Sequence, residues 1–272
     1  MPQGEAEQFV RDALTCLQTI KNLDRAEPRS VMGALMNCAQ LGLRPGLLGH
    51  AWPLPFWDRS VEILDPETGQ IRKGGHRAQL IIGYQGYTHL AYESGKVSVV
   101  KAKIVREADE FDWDEGGNEP PVHRRPKLGT PRGQVLGYYA VVQTVMGGTL
   151  VHVMDVPEML AFRDAFAPRG KAGGDGVTRV VGPWNSSPGQ ANFDGMAMKT
   201  CLRYALKTAP KSPQLARAES VDETVRIDAS VLSEPAAVSQ RPALDGGGNG
   251  APANEVPDPH DGNDPWVGGD RS

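Results

Sequence analysis

Long apolar runs are missing from this 272-residue chain. No stretch approaches the ~18 residues that a membrane span requires, and the N-terminus M-P-Q-G-E-A-E lacks the basic-then-apolar layout of a secretory signal. A soluble, cytoplasmic protein is expected. Cysteine is scarce: Cys16, Cys38 and Cys201 are an odd number, far apart, and each stands among apolar residues at helical spacing, so buried free thiols are expected in place of disulfides or ligands. No Cys-x-x-Cys pair occurs, and the six histidines (His50, His76, His89, His123, His152 and His260) show no metal-binding spacing. The phosphate-loop order G-x-x-x-x-G-K-[ST] is absent as well. Its nearest approach, G-M-A-M-K-T, has Met198 where a glycine must precede Lys199, which excludes a nucleotide-hydrolysing recombinase.

Charge is present but unevenly placed. The net of −4 averages two unlike segments. From Ala229 onward seven acids face two bases, a net of −5, in a stretch dense in Gly, Pro, Asn and Ser; the preceding residues 1–228 sum to +1. With so few large apolar residues to offset the entropy of ordering it, this tail is expected to be disordered. Trp266, in N-D-P-W-V, is its one large aromatic. It reads either as incidental or as a docking motif for a partner.

The basic residues concentrate elsewhere. From Arg169 to Arg217 eight Lys and Arg oppose Asp175 and Asp194, a net of +6, the sign and density of a phosphate-binding surface. Within it Lys199, Arg203 and Lys207 stand four residues apart on one helical stripe, while Met198, Cys201, Leu202, Ala205 and Ala209 supply a face for burial. Each like-charge pair at that spacing destabilises a helix by roughly 0.2–0.5 kcal/mol, so the stripe calls for a counter-charge. A polyanion along the helix would supply one; a solvated outer face is the alternative.

Helical periodicity covers Glu5 to Asn22, and again the segment from Pro28 to Leu41, closed by Gly42. Leu43 to Phe56 is rich in Pro and Gly and reads as a loop leading into an edge strand. A strand over Ala78–Tyr84, a short helix over Gly86–Ser94 and a strand over Val97–Val105 follow, the last with Lys101 and Lys103 on one face and Val100, Ala102 and Ile104 on the other. Phe111–Trp113 and Val122–Arg125 flank a finger-like hairpin, with His123, Arg124, Arg125 and Lys127 as a basic far side. Gln134–Met146 and Thr149–Asp155 form a second hairpin, turned by Gly147-Gly148. Asp155, Pro157 and Glu158 then cap a helix reaching Phe166. A Gly-rich basic loop precedes the striped helix. The expected fold is α+β: a central antiparallel β-hairpin sheet with segregated helices, a helical N-terminal part and a disordered acidic C-terminal tail.

The acids Asp109, Glu110, Asp112, Asp114 and Glu115 are the one cluster suggestive of Mg²⁺ and phosphodiester cleavage. Neighbouring strand residues point to opposite faces, so these carboxylates are not expected to converge on one ion.

The order A-Q-L-G-L-R-P-G, A-W-P-L-P-F, Q-L-I-I-G-Y-Q-G-Y-T-H-L-A, K-A-K-I-V-R-E-A-D-E-F, P-W and M-A-M-K-T-C-L-R-Y resembles the RecT family of phage single-strand annealing proteins, from about Pro28 to Glu223. The N-terminal helix and the tail lie outside that resemblance. Tyr87 departs from it, since the family usually has an aliphatic residue there, as do Gly189 and Gly195 near the striped helix. The resemblance implies ATP-independent binding of single-stranded DNA and annealing of complementary strands in homologous recombination, within the cytoplasm of a bacterial host. It implies rings or helical filaments, two strands in a narrow basic groove, and as partners a phage exonuclease and the host single-strand-binding protein. No cofactor is implied, Mg²⁺ being at most a modulator.

Carried over by motif, the groove residues are Lys101, Lys103 and Arg106 from the strand with Lys199, Arg203 and Lys207 from the helix; His123 and Arg124 of the finger join them. Tyr84 and Tyr87 either stack on nucleotides or fill core. The chain divides into an N-terminal helix (1–27) as an oligomer contact, a DNA-binding and annealing core (28–226) and the tail (227–272). A passive single-stranded DNA-binding protein without annealing activity is the alternative function.

Overall fold

A computed structural model describes residues 3–46, 48–64, 69–117, 119–171 and 178–222. The acidic tail and Trp266 lie outside the described residues. Two helices come first, α1 (Gln3–Thr19) and α2 (Pro28–Gln40), the second with Pro28 in its first turn, where a missing N–H costs nothing. They bury Ala13, Cys16, Ala34 and Cys38, and Ile20 just after α1 is buried with them. All three cysteines are free and buried. Burial pushes the thiol pKa values up, to about 11 for Cys16 and about 12 for Cys38 and Cys201.

The segment with two prolines is more regular than its composition suggests. β1 (Ala51–Leu64) runs straight through Pro53 and Pro55 and pairs antiparallel with β2 (Ile71–Ile82) in a two-stranded sheet. Both prolines have the same parity, so both missing N–H groups face the edge away from β2, where no ladder bond is lost. Gly83 and Gly86 then bring α3 (Tyr84–Glu93) hard against the 49–50 backbone. The Gly83 N–H donates to the His50 carbonyl at 2.9 Å, and a Cβ at Gly86 would collide with that same oxygen.

The main sheet is three-stranded and antiparallel, in the order β3 (Val97–Arg106), β6 (Val135–Thr144), β7 (Thr149–Asp155). Between β3 and β6 the finger hairpin β4 (Glu110–Asp112) and β5 (Val122–Arg124) turns outward. The β6–β7 turn is the expected Gly-Gly turn, with Gly147 at φ 90°. α4 (Val156–Phe166) begins with the expected capping box: the Asp155 carboxylate accepts the Glu158 N–H at 2.7 Å and the Glu158 carboxylate accepts the Asp155 N–H at 3.1 Å. Short strands β8 (Arg169–Lys171) and β9 (Thr178–Val180) stand where a loop is expected. After a 3-10 turn over Gly182–Trp184, α5 (Ala191–Lys207) starts before the striped segment, and a helix over 213–222, here α6, ends the described chain.

α5 is the organising helix. Its Phe193, Ala197, Cys201, Leu202, Ala205 and Leu206 are buried, packed with Val100, Tyr138, Ala140 and Val142 of the sheet. Burial of side chains of this size contributes ~1.5–3 kcal/mol each for the larger ones, which fixes α5 on the inner sheet face. At its start the buried Asp194 accepts the Tyr138 hydroxyl at 2.5 Å and the Gly189 N–H at 2.9 Å. Gly189, at φ 92°, makes the turn that sets this start. The architecture is the expected α+β class.

Candidate nucleic-acid interface

Strand alternation places Lys101 and Lys103 on the sheet face opposite α5, both exposed. Neither makes an ion pair among the described residues. β3 is an edge strand, and its unpaired side looks toward the first turns of α3. From the last turn of α3 the Tyr92 hydroxyl accepts the Val100 N–H at 3.0 Å in place of a ladder partner. Between helix and strand lies a cleft of about 290 Å³, lined by Tyr84, Gln85 and Thr88 on one side and Val100–Lys103 on the other. Two free ammonium groups, a half-buried phenol ring and an amide thus share one concavity. That combination suits a backbone of phosphates with bases to one side.

The helical stripe is arranged differently from its sequence reading. Lys199 is 5% exposed, and its ammonium donates to the Asp222 carboxylate at 2.5 Å. Arg203 is half-buried and reaches the other oxygen of Asp222 at 3.2 Å, while Lys207 is exposed. The counter-charge that the stripe demands is therefore a protein carboxylate, 2% exposed, carried on α6. Lys199 and Arg203 do not face Lys101 and Lys103, because α5 lies against the inner sheet face and the two lysines stand on the outer one. A smaller cavity of about 60 Å³ abuts the trio, walled by Phe56, Phe162 and Trp184 among others.

Tyr87 is wholly buried. It fills core beside Asp222 and Arg203, and burial raises its hydroxyl pKa well above the ordinary tyrosine value, so of the two tyrosines only Tyr84 is placed to meet a ligand. His123 is likewise structural. Its side chain is 10% exposed, with one ring nitrogen 3.0 Å from the Tyr139 hydroxyl and the other 3.0 Å from Asp109. The fully buried Asp109 carboxylate also accepts two bonds from Arg132, at 2.8 and 2.5 Å, and the Arg106 N–H at 2.9 Å. These bonds, the Arg132 bonds foremost, hold its pKa well below the carboxylate range. The acid that opens the cluster is thus the anchor of the finger. Arg124 is exposed and paired with Glu110 at 3.0 Å. Arg106 has the parity opposite to Lys103, and its guanidinium donates to the Gly133 carbonyl at 3.1 Å. Among the described residues no group of three or more His, Cys, Asp or Glu side chains could hold a metal ion, and no helix is long and apolar enough to cross a membrane.

Sequence reasoning missed Gln85 and Thr88 as cleft walls, and Asp222 and Arg132 as partners. The like-charge stripe signalled that an anion was needed. Its source, 23 residues on, was not legible because no local spacing links the two helices.

Known proteins resemble this chain over most of its length. The RecT family model matches residues 7–235, which brings α1 inside the match although the motifs begin after it. Protein RecT of Escherichia coli (strain K12) is 33% identical over 234 residues, covering 84% of this chain and 77% of the relative. The uncharacterized protein YqaK of Bacillus subtilis (strain 168) is 24% identical over 143 residues, covering 52% of this chain and 43% of the relative.

Proposed function

The chain belongs to the RecT family, and from that premise we propose that it binds single-stranded DNA and anneals complementary strands during recombination, without ATP and without a cofactor. The observation that carries this reading is the cleft, where Lys101 and Lys103 stand exposed beside Tyr84 and, among the described residues, without ion pairs. Residues i and i+2 of a strand lie roughly 6.6 Å apart. Neighbouring phosphates of one strand are joined through six backbone bonds and stand a comparable distance apart, so the two lysines suit adjacent phosphates. Contacts of this kind are indifferent to sequence, which suits a protein that must accept any strand and leave the bases free to pair.

Self-association fits the same reading. Val10 and Leu14 on α1, and Met32 and Met36 on α2, are each more than half exposed at i,i+4 spacing. Paired apolar positions of this kind on adjacent helices suit contact with a second copy in a ring or filament. A phage exonuclease and the host single-strand-binding protein are the further partners this reading implies.

The test mixes complementary oligonucleotides with the protein in the absence of ATP and follows duplex formation. Faster pairing is expected. Binding that slows pairing identifies a passive coat protein, and shortened strands identify a nuclease; either result overturns the annealing reading.

A further inference from the structure

The basic stripe of α5 runs from solvent into the protein: Lys207 is exposed, Arg203 half-buried and Lys199 buried. Its inner two cations share one carboxylate, Asp222. That carboxylate rides on α6, a single helix held by buried Leu215, Ala218 and Asp222, by Val221 packed on the core and by the Arg217 guanidinium on the Gln40 side chain of α2. Five of its ten residues (Pro213, Gln214, Ala216, Arg217 and Ser220) are exposed. Lys211 and Glu219 form an ion pair at 2.5 Å at its flank. A helix of this length is not stable by itself in water, so its place depends on these contacts, and segments so held open at low free-energy cost relative to the core.

A phosphodiester carries the same unit charge as a carboxylate and likewise offers two oxygens to an ammonium and a guanidinium. We propose that Asp222 is an internal stand-in for a DNA phosphate: it occupies the Lys199–Arg203 site in the free protein and is displaced, with α6, when a strand threads in from the exposed Lys207 end. The proposal rests on the single-stranded DNA reading above and concerns its regulation. In the free protein α6 withholds part of the basic surface, and only a polyanion able to replace the carboxylate opens it. Like charges at i,i+4 are then never without an anion, in either state. The small cavity described above abuts the same three residues, Lys199, Arg203 and Asp222.

Hydrogen exchange measured on the full chain, alone and with saturating oligodeoxythymidine, tests this directly. Amides over 213–222 are expected to exchange roughly tenfold faster in the complex, the opposite of the protection that ordinary burial gives. Unchanged or slower exchange there overturns the displacement. Asp222→Asn separates a stand-in from a mere structural contact. A stand-in, once neutralised, competes less, so roughly tenfold tighter DNA binding is expected, as for loss of one charge-assisted bond, together with a lower melting temperature. Binding that weakens in step with stability overturns the proposal. Failure of the unaltered protein to bind the oligonucleotide at all refutes the underlying reading and this inference with it.

Discussion

Replacing Lys101 and Lys103 together by alanine removes two charges that point into the cleft from one face of β3 and have no ion-pair partner among the described residues. Both are exposed, so the fold is expected to be untouched, with a stability change within about 0.5 kcal/mol. The effect on binding follows from counterion release. Each phosphate contact contributes about 0.7 to the slope of log affinity against log salt for a single strand, so two contacts account for about 1.4. Between roughly 50 and 200 mM salt this narrows the ratio of wild-type to variant affinity by about sevenfold. Fluorescence anisotropy of a labelled oligodeoxythymidine over that salt range, with a circular-dichroism melt of each protein, measures both quantities. A slope that stays the same in a variant with an unchanged melt refutes the assignment, because lysines that touch no phosphate release no counterions.

Two further outcomes follow from buried groups away from the cleft. Asp109→Ala strips Arg132 and His123 of their shared acceptor; breaking a buried pair costs ~3–5 kcal/mol, and the 22% exposure of Arg132 lowers the expected loss to roughly 2–4 kcal/mol, or about 5–15 °C in a chain of this size. A melt within about 2 °C of wild type would show that the finger does not depend on this carboxylate. Burial lowers the pKa of His50, aided by His89 stacked at 4.7 Å and by Arg44, and burial also lowers that of His152. The unfolded chain then takes up protons first. Stability is full above the ordinary histidine value of 6.5 and is lost as pH falls below it. Melting temperatures from pH 8 to 5 are expected to fall on the acid side; a flat profile contradicts the burial argument. The depressed pKa of Asp109 adds a second loss only below about pH 4.

Where the sequence was read well, the signal was local. The capping box at Asp155 and Glu158, the Gly147 turn, the helix opened by Pro28 and the buried cysteines each depend on spacings of a few residues, and such spacings act through the backbone of one element. The expected loop over Leu43–Phe56 overlaps only the first six residues of β1; Pro53 and Pro55 argue against a strand there until it is known that, among the described residues, one edge of the sheet has no partner strand. Arg106 was grouped with Lys101 and Lys103 although parity alone separates them. Alternation identified the lysine face of β3 correctly.

The stripe on α5 shows where sequence stops. Charge spacing at i,i+4 determined that Lys199, Arg203 and Lys207 would share a face, and the like-charge penalty determined that an anion must meet it. Which anion meets it was decided only by tertiary packing, which carries Asp222 from a separate helix onto two of the three cations and leaves the third in water. The same holds for the tyrosines: residue type permits Tyr84 and Tyr87 either to stack or to fill core, and only the approach of α3 to the edge of β3 leaves one lining a cleft and the other sealed. Local periodicity fixes the face on which a side chain stands. What stands opposite is set by contacts between residues distant along the chain, which periodicity does not encode.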